Sequence, residues 1–571
     1  MKTLNLHCDY IKFKALKKAL KTVDEIAPNQ NLEGEATECL VVLTAIEKGD
    51  NEQAVENMVE SIKDIANQVG AKNIVLYPYA HLSSNLASPK LAVKLMNEIA
   101  SKLSDFKLTR APFGYYKSFE LKVKGHPLSE LSREFQIVGN EEKEEDLSDE
   151  ERKALLRQIS KATLDTSKLK DNDHRIIGRK MDLWSFNNVA PGMVFWHEKG
   201  LHIKHKLIDS WREIHKIAGY HETSTPQIMD RKLWEVSGHW KLYHEHMFTS
   251  MYEKREFAVK PMNCPGAMLI YKNSPKSYKD LPLRLSEIGV VHRKELSGTL
   301  AGLFRVIQMT QDDAHIFCTK KQLHEEVLKV INLFTGLLGQ FGFEDYRFTI
   351  STRSKKKSDK YLGDNTLWNS AEKTLAKGLD ELKLKYTNEP GEAKFYGPSL
   401  DLQIKDSLGR EWQCSTLQLD FALPERFGIK YTDENGNEMT PILLHRVVYG
   451  SLERFIGIIT EHLNGKFPMW ISPNQVMVIN TNDDSKDYAK KIKEDLFNSG
   501  FRVEINDKNE SVGKKVREAS IQRFNYIATV GGGEKEKNTI AVKKRDEKDI
   551  QTMSLEDFKN MLKEEIDSKK L

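Results

Sequence analysis

Hydrophobic and polar positions alternate with strand and helix periods over three stretches of the chain. In the first stretch, strands are predicted by the apolar runs TLNLHC, CLVVLTAI and NIVLYPYAH, and an amphipathic helix by QAVENMVESIKDIANQVG. In the last stretch, strands are predicted by QVMVIN, FRVEIN, YIATVG and TIAVKKR, with helices between them and a final helix after Ser554. Strands and helices in turn predict an α/β domain at each end of the chain.

The middle stretch is the longest and combines strands with long amphipathic helices such as HKLIDSWREIHKIAGY. It is preceded by an acidic run, in which Ser148 and Glu151 have the spacing of a capping box at the start of an exposed helix. We interpret this segment as a linker. The predicted organisation is an N-terminal domain, a helical linker, a large central domain and a C-terminal domain, over residues 1–137, 138–176, 177–466 and 467–571.

The segment VHRKELSGTLAGLFRVIQMTQDDAHIFC has a strand pattern but carries charge on a face that strands usually bury. Alternation predicts that one face holds Arg305, Ile307, Met309, Gln311, Asp313 and His315. A preceding strand over VHRKE would place Arg293 and Glu295 opposite Arg305 in a hairpin that turns at Ser297–Thr299. An exposed sheet with solvated charges is the ordinary alternative. The concentration of ionisable groups on one parity favours a polar ligand, and paired arginines favour a phosphate.

The composition of the chain excludes only a few classes of protein. The chain has 571 residues, 39% of them hydrophobic, so it can hold several packed domains. A formal net charge of +4 permits an acidic partner such as RNA without arguing for one. Five cysteines without a CxxC pair are typical of a reducing compartment, which predicts a cytoplasmic protein. Neither a signal peptide nor an apolar run of membrane-spanning length is present, so no membrane association is expected.

Three residues that are far apart in sequence are candidate zinc ligands. A functional zinc site takes three thiolate, imidazole or carboxylate ligands and leaves one position open, and Cys264, His315 and His445 could supply that set. Cys318 lies three residues from His315, so on a continuous strand it faces the opposite side. A buried cysteine is also an ordinary core residue, so spacing alone leaves both interpretations open.

An arginine near the start of a predicted helix is a second candidate for ligand binding. The segment GSLERFIGIITEHL has an apolar stripe of helical period, and Arg454 lies near the N-terminus of that helix. An arginine at this position could hold an anionic ligand. A solvated surface arginine would give the same pattern.

Taken together, these segments resemble the threonyl-tRNA synthetases, which are class II aminoacyl-tRNA synthetases. Motif 1 of that class is similar to GLHIKHKLIDSWREIHKIAGYHETSTPQIMD, with Pro226 as its proline; motif 2 to VHRKELSG through GLFRVIQMTQDDAHIF; and motif 3 to HRVVYGSLERF. The resemblance implies α/β and α+β domains around an antiparallel-sheet catalytic core. It also implies ATP-dependent ligation of L-threonine to tRNA(Thr), Mg²⁺ with the ATP, one Zn²⁺ per subunit, and a homodimer.

The resemblance implies a role for each matching side chain. Arg293 would hold the α-phosphate, Glu295 the adenine, and the remaining ATP contacts fall on Arg305, Gln413 and Arg454. The zinc ligands would be Cys264, His315 and His445. The threonine pocket would consist of Met262, Gln311, Asp313, Tyr396, Thr416 and Gln418. His239 would assist transfer to the terminal ribose. Ala267 stands where the family usually has histidine, which leaves the zinc set whole.

The N-terminal domain also resembles a known type. The segments YPYAHLSSNLASP and APFGYYKSFELKVKGHPLSELSR are similar to the editing domain of archaeal-type threonyl-tRNA synthetases, which is itself similar to D-aminoacyl-tRNA deacylases. The resemblance implies hydrolysis of Ser-tRNA(Thr) in a pocket lined by His81, Tyr116, Lys117 and Glu130. From composition alone, these are ordinary turn and surface residues.

The C-terminal domain resembles the anticodon-binding domain of several class II synthetases. Glu534 and Lys543 match positions that touch anticodon bases in that domain. Two alternatives to the whole interpretation stay open. One is a catalytically silent relative that acts as an RNA-binding or regulatory protein, against which the intact arginine and zinc sets argue. The other is a ligase whose N-terminal domain has lost editing or removes other errors.

Overall fold

A computed structural model describes residues 1–83, 85–135, 149–159, 169–354, 361, 365–394 and 396–571. The chain divides into two compact units, Met1–Ser148 and Asp149–Leu571. The predicted capping residue Ser148 lies outside the described residues, and the helix after it spans Asp149–Ile159. None of the helices in the described ranges combines the length and apolar content that a bilayer crossing requires.

The first unit is built on one six-stranded mixed sheet. Its strands run in the order β4-β3-β2-β1-β5, and β6 pairs with the free part of β1. The strands are β1 Lys2–Lys18, β2 Glu33–Ala45, β3 Asn73–Pro78, β4 Lys107–Arg110, β5 Tyr115–Val123 and β6 Glu130–Glu134. The helices are α1 Val23–Ile26, α2 Glu52–Val69 and α3 Pro89–Lys102. The predicted α/β domain is confirmed.

Helices α2 and α3 cover one face of this sheet. Their buried residues, such as Met58 and Met96, pack against Leu40 and Ile74 of the central strands. The amphipathic period of the sequence explains this, because it puts the apolar side chains of each helix on one stripe. The other face has a second core that includes Phe13 and Tyr77.

The second unit is centred on an eight-stranded sheet in the order β16-β15-β17-β18-β21-β14-β13-β9. Neighbouring strands are antiparallel except for the two edge pairs β15–β16 and β13–β9. The predicted antiparallel sheet of the central domain is therefore confirmed. Smaller sheets are β10-β12-β11, β7-β8 and β19-β20.

The strands of this part are β7 Trp184–Ser185, β8 Phe195–Trp196, β9 His221–Glu222, β10 Ile228–Asp230, β11 Thr249–Tyr252, β12 Arg255–Val259, β13 Leu283–His292, β14 Gln308–Cys318, β15 Tyr346–Thr352, β16 Tyr386–Pro390, β17 Ser399–Lys405, β18 Glu411–Asp420, β19 Tyr431–Thr432, β20 Glu438–Met439 and β21 Ile442–Ser451. The helices are α4 Asp149–Ile159, α5 His174–Lys180, α6 Glu198–Ile217, α7 Arg231–Ser237, α8 His239–Tyr243, α9 Cys264–Lys272, α10 Leu323–Gly339, α11 Asn365–Glu381, α12 Ala422–Arg426 and α13 Leu452–His462.

The C-terminal part of the second unit is a small α/β fold with a five-stranded sheet in the order β23-β22-β24-β25-β26. Its strands are β22 Val476–Asn480, β23 Val503–Asn506, β24 Tyr526–Val530, β25 Thr539–Lys544 and β26 Ile550–Ser554. Its helices are α14 Lys486–Asn498, α15 Val512–Ile521, α16 Gly532–Lys537 and α17 Leu555–Ser568, the last capped by Ser554 as predicted.

The predicted hairpin exists, but its two strands end farther from the turn than expected. Strands β13 and β14 are antiparallel and pair Val291 with Met309. The strand prediction holds for Val291 and His292, which end β13. It is wrong for the rest of VHRKE and for the segment around Arg305, because residues 293–307 form a long connection that leaves the sheet. Two glycines and a 3₁₀ turn over Ser297–Thr299 interrupt the ladder there, since glycine weakens a strand interior. Glu295 and Arg305 nevertheless face each other, as their ion pair below indicates.

Candidate active site

The candidate metal ligands come together on the middle of the large sheet. His315 of β14 pairs directly with His445 of β21, and Cys264 is the first residue of α9. The possible ligand atoms of these three residues all lie within 4.8 Å of one another. Cys318 packs on the opposite side of β14, in the core with Leu323 and Val327, as strand parity predicts.

The chemistry of this cluster fits a zinc ion. The Nε2 of His445 lies 2.9 Å from Asp420 Oδ2, so a proton held there leaves Nδ1 as the metal-binding atom. His445 Nδ1 and His315 Nε2 are buried and have no hydrogen-bond partner in the described part of the chain. Burial, followed by the nearby His445 and Arg446, lowers the pKa of His315 well below its usual value, which keeps its lone pair available. One thiol and two imidazoles form a donor set that zinc accepts.

Two rows of side chains cross the three central strands on the same face as the cluster. Residues two apart on a strand share a face, so the rows lie side by side. One row consists of Gln418, His445 and His315, and the next of Thr416, Val447 and Asp313. The structure therefore brings three of the predicted threonine-binding residues beside the candidate metal ligands.

Polar contacts hold these pocket residues in place. Tyr396 donates to Gln418 Oε1 at 2.6 Å, and Asn263 donates to Asp313 Oδ2 at 3.1 Å. Burial raises the pKa of Asp313 to about 6. The half-buried Met262 lies directly before Asn263, and Gln311 lies on β14 where its register with β21 shifts. Five of the six predicted pocket residues thus lie on or next to the central strands or α9, and the sixth, Tyr396, precedes β17.

Three arginines gather where β13, β14 and α13 meet. Arg454 is the third residue of α13, and its Nε donates to Phe304 O at 2.9 Å. Arg293 Nε donates to Pro261 O at 3.1 Å, and Arg305 forms an ion pair of 2.8 Å with Glu295. Burial lowers the pKa of Arg454, and the nearby Arg305 and Arg293 lower it further although Cys414 and Glu295 act in the opposite direction. An anion would relieve this crowding of positive charge.

Gln413 of β18 belongs to a different group of contacts. Its Nε2 donates to Asp401 Oδ1 at 2.6 Å, and Thr416 Oγ1 donates to the same oxygen at 2.7 Å. One buried carboxylate therefore holds a predicted ATP contact and a predicted threonine contact together. Sequence reasoning missed Asp401, although its polar position between Leu400 and Leu402 in a buried strand was a usable signal.

His239, the first residue of α8, lies close to the same cluster. Its Nδ1 is 2.8 Å from Ser237 Oγ. Burial lowers the pKa of His239 to about 4, and the nearby His445 adds to this effect. The imidazole is therefore neutral at pH 7. Asn263, Asp420 and Asp401 are polar residues next to the site that sequence reasoning did not single out.

In the first unit, Lys117 occupies a partly buried position. Its Nζ donates to Pro112 O at 2.9 Å and to Tyr115 O and Pro78 O at 3.4 and 3.5 Å. Burial lowers the pKa of Lys117 to about 8.

The other predicted editing residues do not all lie next to this lysine. The exposed His81 lies on the turn after Pro78, and Tyr116 is 62% exposed. By register, Lys117 pairs with Ala15 near one end of β1, whereas Glu130 pairs with Leu6 in the other half. The structure thus brings Lys117 to the turn that carries His81, and places Glu130 on a different strand pair.

The two predicted anticodon contacts lie on neighbouring elements of the C-terminal fold, the helix α16 and the strand β25. Glu534 is in the first turn of α16, where its Oε2 accepts from Gly531 N at 2.9 Å. Lys543 is on β25, in register with Ile527 and Ile550.

Models of known protein families match three segments of this chain, which together cover most of its length. Residues 1–135 match the archaea-specific editing domain of threonyl-tRNA synthetase. Residues 248–463 match the class II tRNA synthetase core domain for G, H, P, S and T, and residues 475–565 match an anticodon binding domain.

Individual relatives agree with these domain matches. The threonine-tRNA ligase of Carboxydothermus hydrogenoformans is 46% identical over 401 residues, 70% of this chain and 62% of the relative. That of Clostridium tetani is 44% identical over 74% of this chain and 67% of the relative. The chain thus spans somewhat less than two thirds of the first relative's length.

Two solved structures have a similar fold. The RNA binding domain of threonyl-tRNA synthetase from Cryptosporidium parvum Iowa II has a TM-score of 0.66 and 37% identity, over 69% of this chain and 98% of that one. A putative threonyl-tRNA synthetase, ThrRS-1, from Aeropyrum pernix has a TM-score of 0.62 and 26% identity, over 70% and 97% of the two chains. With an editing domain, a class II core and an anticodon domain in this order, the chain belongs to the threonyl-tRNA synthetase family.

Proposed function

We propose that this protein joins L-threonine to tRNA(Thr) at the expense of ATP and removes serine errors in its first unit. The single observation that carries the ligase proposal is the shared face of the central strands. There the Cys264, His315 and His445 cluster lies beside the row containing Asp313 and Thr416. The proposal is supported by Arg293, Arg305 and Arg454, which lie near the N-terminal end of β14. No observation favours a catalytically silent protein.

In the first step, an oxygen of the threonine carboxylate attacks the α-phosphorus of ATP, and pyrophosphate leaves. Negative charge builds on the phosphate oxygens during this step, and fixed cations around them lower the barrier. We assign Arg293 to the α-phosphate and Arg305 and Arg454 to the outer phosphates, where Mg²⁺ accompanies the ATP. Glu295 takes the adenine and Gln413 adds a polar contact.

Zinc held by Cys264, His315 and His445 would bind the amino and hydroxyl groups of threonine and act as a Lewis acid. The chain's own residues complete the pocket around the amino acid, namely Met262, Gln311, Asp313, Tyr396, Thr416 and Gln418. Asp313 would face the amino group. Valine lacks the hydroxyl, so a site built for polar contact rejects it strongly, whereas serine differs by one methyl group only.

In the second step, a ribose hydroxyl at the end of the tRNA attacks the threonyl carbonyl carbon, and AMP leaves. A nearby base must take the hydroxyl proton. We assign that role to His239, because its imidazole lies close to the Cys264, His315 and His445 cluster and its Nδ1 is held 2.8 Å from Ser237 Oγ.

We assign domains as residues 1–137 for editing, 138–176 as linker, 177–466 for catalysis and 467–571 for the anticodon. His81, Tyr116, Lys117 and Glu130 would line the editing pocket, and Glu534 and Lys543 would contact anticodon bases. Class II synthetases dimerise through motif 1, so a homodimer is proposed. The free state of all five cysteines supports a cytoplasmic location.

Pyrophosphate exchange with ATP tests the ligase function. We expect strong exchange with threonine, weaker exchange with serine and almost none with valine, because serine keeps the hydroxyl and valine does not. The methyl group that serine lacks is worth a factor of about 10 to 200. If no amino acid supports exchange in metal-loaded protein, the ligase proposal is wrong and an RNA-binding role becomes the one to pursue.

Substitutions in the first unit test the editing function. His81→Ala and Lys117→Ala should each slow hydrolysis of Ser-tRNA(Thr) about 100-fold, the lower range for losing a positioned proton-transfer group, with threonine exchange unchanged. Lys122→Ala is the matched control, because Lys122 is an exposed lysine of the same strand paired with Asp9. Since Lys117 also holds three carbonyl groups, His81→Ala decides the matter if Lys117→Ala does not fold. Normal hydrolysis in folded His81→Ala would rule the assignment out.

A further inference from the structure

His174 is fully buried at the start of α5, within the segment that the sequence predicted to be a linker. Its two ring nitrogens are both in use. Nδ1 lies 2.6 Å from Glu461 Oε1 on α13, and Nε2 accepts from the backbone N–H of Leu303 at 3.0 Å. The ring therefore joins the far end of α13 to the connection between β13 and β14.

The same residue belongs to a group that could suggest a second metal site. Asp173, His174 and Glu461 present ligand atoms within 4.8 Å of one another. However, the second oxygen of Glu461 accepts from Arg410 at 2.6 Å, and neither ring nitrogen of His174 has a lone pair left. Burial alone would raise the pKa of Glu461, but the bonds from His174 and Arg410 outweigh it and lower the pKa. These contacts indicate a clamp rather than a metal site.

The clamp leads directly to the arginine cluster. Phe304 follows Leu303, and its ring lies between His174 and Trp412, with centroid distances of 4.3 and 4.4 Å. The carbonyl of Phe304 accepts the bond from Arg454 Nε. The residue after Phe304 is Arg305. The segment that His174 fixes therefore orients Arg454 through a hydrogen bond and determines where the backbone of Arg305 lies.

Gly302 shows how closely the connection approaches His174. Its φ is +55°, and a Cβ at this position would lie 2.3 Å from His174 Nε2. Any other residue would both strain the backbone and push the ring away from Leu303. The approach of the connection to the imidazole is therefore built into the backbone of residues 302–304.

We propose that His174 is a positioning residue for ATP: its bond to Leu303 holds residues 302–304 so that Arg305 and Arg454 face the same phosphates. This inference rests on the proposed function. Positioning by a buried hydrogen bond lowers the cost of ordering the connection when ATP binds. The hydrogen bonds of His174 run to α13 and to the connection, whereas the proposed threonine pocket lies on β14 and β18, so the effect should be confined to ATP.

Two amide substitutions separate the nitrogens of the ring. His174→Gln can restore the acceptor for Leu303, whereas His174→Asn can restore only the donor to Glu461. We expect the KM for ATP in exchange to rise about 10-fold in His174→Ala and His174→Asn, the size of one lost buried hydrogen bond. The KM for threonine should change less than about twofold in these variants. In His174→Gln, the KM for ATP should lie within about threefold of the value for the unsubstituted protein.

Three results would overturn the inference: an unchanged KM for ATP in His174→Ala, equal changes in both KM values, or no difference between His174→Asn and His174→Gln. His324→Asn is the matched control, because His324 forms a similar bond of 2.7 Å with Glu381 on the surface of α10 and α11. It should leave both KM values unchanged.

A second readout does not depend on activity. Trypsin cuts after Lys294 and Arg305, on either side of the fixed residues, and cleavage there should be faster in His174→Ala but not in His174→Gln. If the unsubstituted protein shows no exchange, the proposed function fails and this cleavage still decides the positioning role. If His174→Ala does not fold, Gly302→Ala tests the same contact from the other side and should raise the KM for ATP with His174 intact. An unchanged cleavage rate and KM in that variant would contradict the inference.

Discussion

Arg454→Ala should lower threonine-dependent pyrophosphate exchange about 100- to 1,000-fold, the usual cost of removing one group that stabilises developing charge. The side chain is partly buried next to Arg305 and Arg293, and its pKa is lowered by burial and by those two cations. It therefore lies where an anion is needed to balance the charge. Because its removal also relieves repulsion, we expect the thermal unfolding midpoint to fall by less than about 2 °C.

Loss of activity without loss of stability in Arg454→Ala would identify Arg454 as a residue that contacts the substrate. Arg454→Lys should recover little activity, because an ammonium group cannot reproduce the planar fork that contacts two oxygens. Arg347→Ala is the control, since Arg347 forms an exposed ion pair of 3.0 Å with Glu411 on the same sheet. Exchange in Arg454→Ala within about threefold of the unsubstituted protein would exclude a role in transition-state stabilisation.

Cys264→Ser should abolish stoichiometric zinc binding and, with it, exchange with threonine. The thiolate is the strongest donor of the cluster, and a serine hydroxyl is not deprotonated at neutral pH to replace it. We expect the loss of zinc affinity to exceed that of Asp420→Ala, which removes the carboxylate bonded to His445 and should weaken binding about 10- to 100-fold. Zinc content after dialysis and exchange rate are the two measurements.

The other cysteine of this region supplies the control. Cys318 is three residues from His315 but packs in the opposite core, so Cys318→Ala should retain one zinc per chain. Removal of zinc from the unsubstituted protein by a chelator should abolish exchange, and re-addition should restore it. Zinc bound at full stoichiometry in Cys264→Ser would show that the cluster is not the site.

The strand period predicted much of this arrangement, because parity separates one face of a strand from the other. It put Asp313 and His315 on one face and Cys318 on the other, and the structure agrees. Parity could not reveal that His315 pairs with His445, since register between distant strands depends on tertiary structure. The resemblance supplied that link.

The connection at residues 293–307 was not predictable in the same way. Its residues alternate like a strand, yet the contacts of Leu303 and Phe304 with distant side chains hold it outside the sheet. His174 was assigned to a linker because the acidic run before it is polar, and a single buried imidazole leaves no periodic signal. Whether a segment with such a local pattern forms a strand depends on its tertiary contacts.

The direct pairing of His315 with His445 makes the proposed metal site depend on the alignment of β14 with β21. A shift of β14 by one residue against β21 would turn His315 to the opposite face and dismantle the donor set, together with the row that carries Asp313. A bound ion would then stabilise the native alignment alone, by an amount set by its concentration and affinity. Zinc bound at the proposed site would in this way also help the newly made chain to choose between alternative strand pairings as it folds.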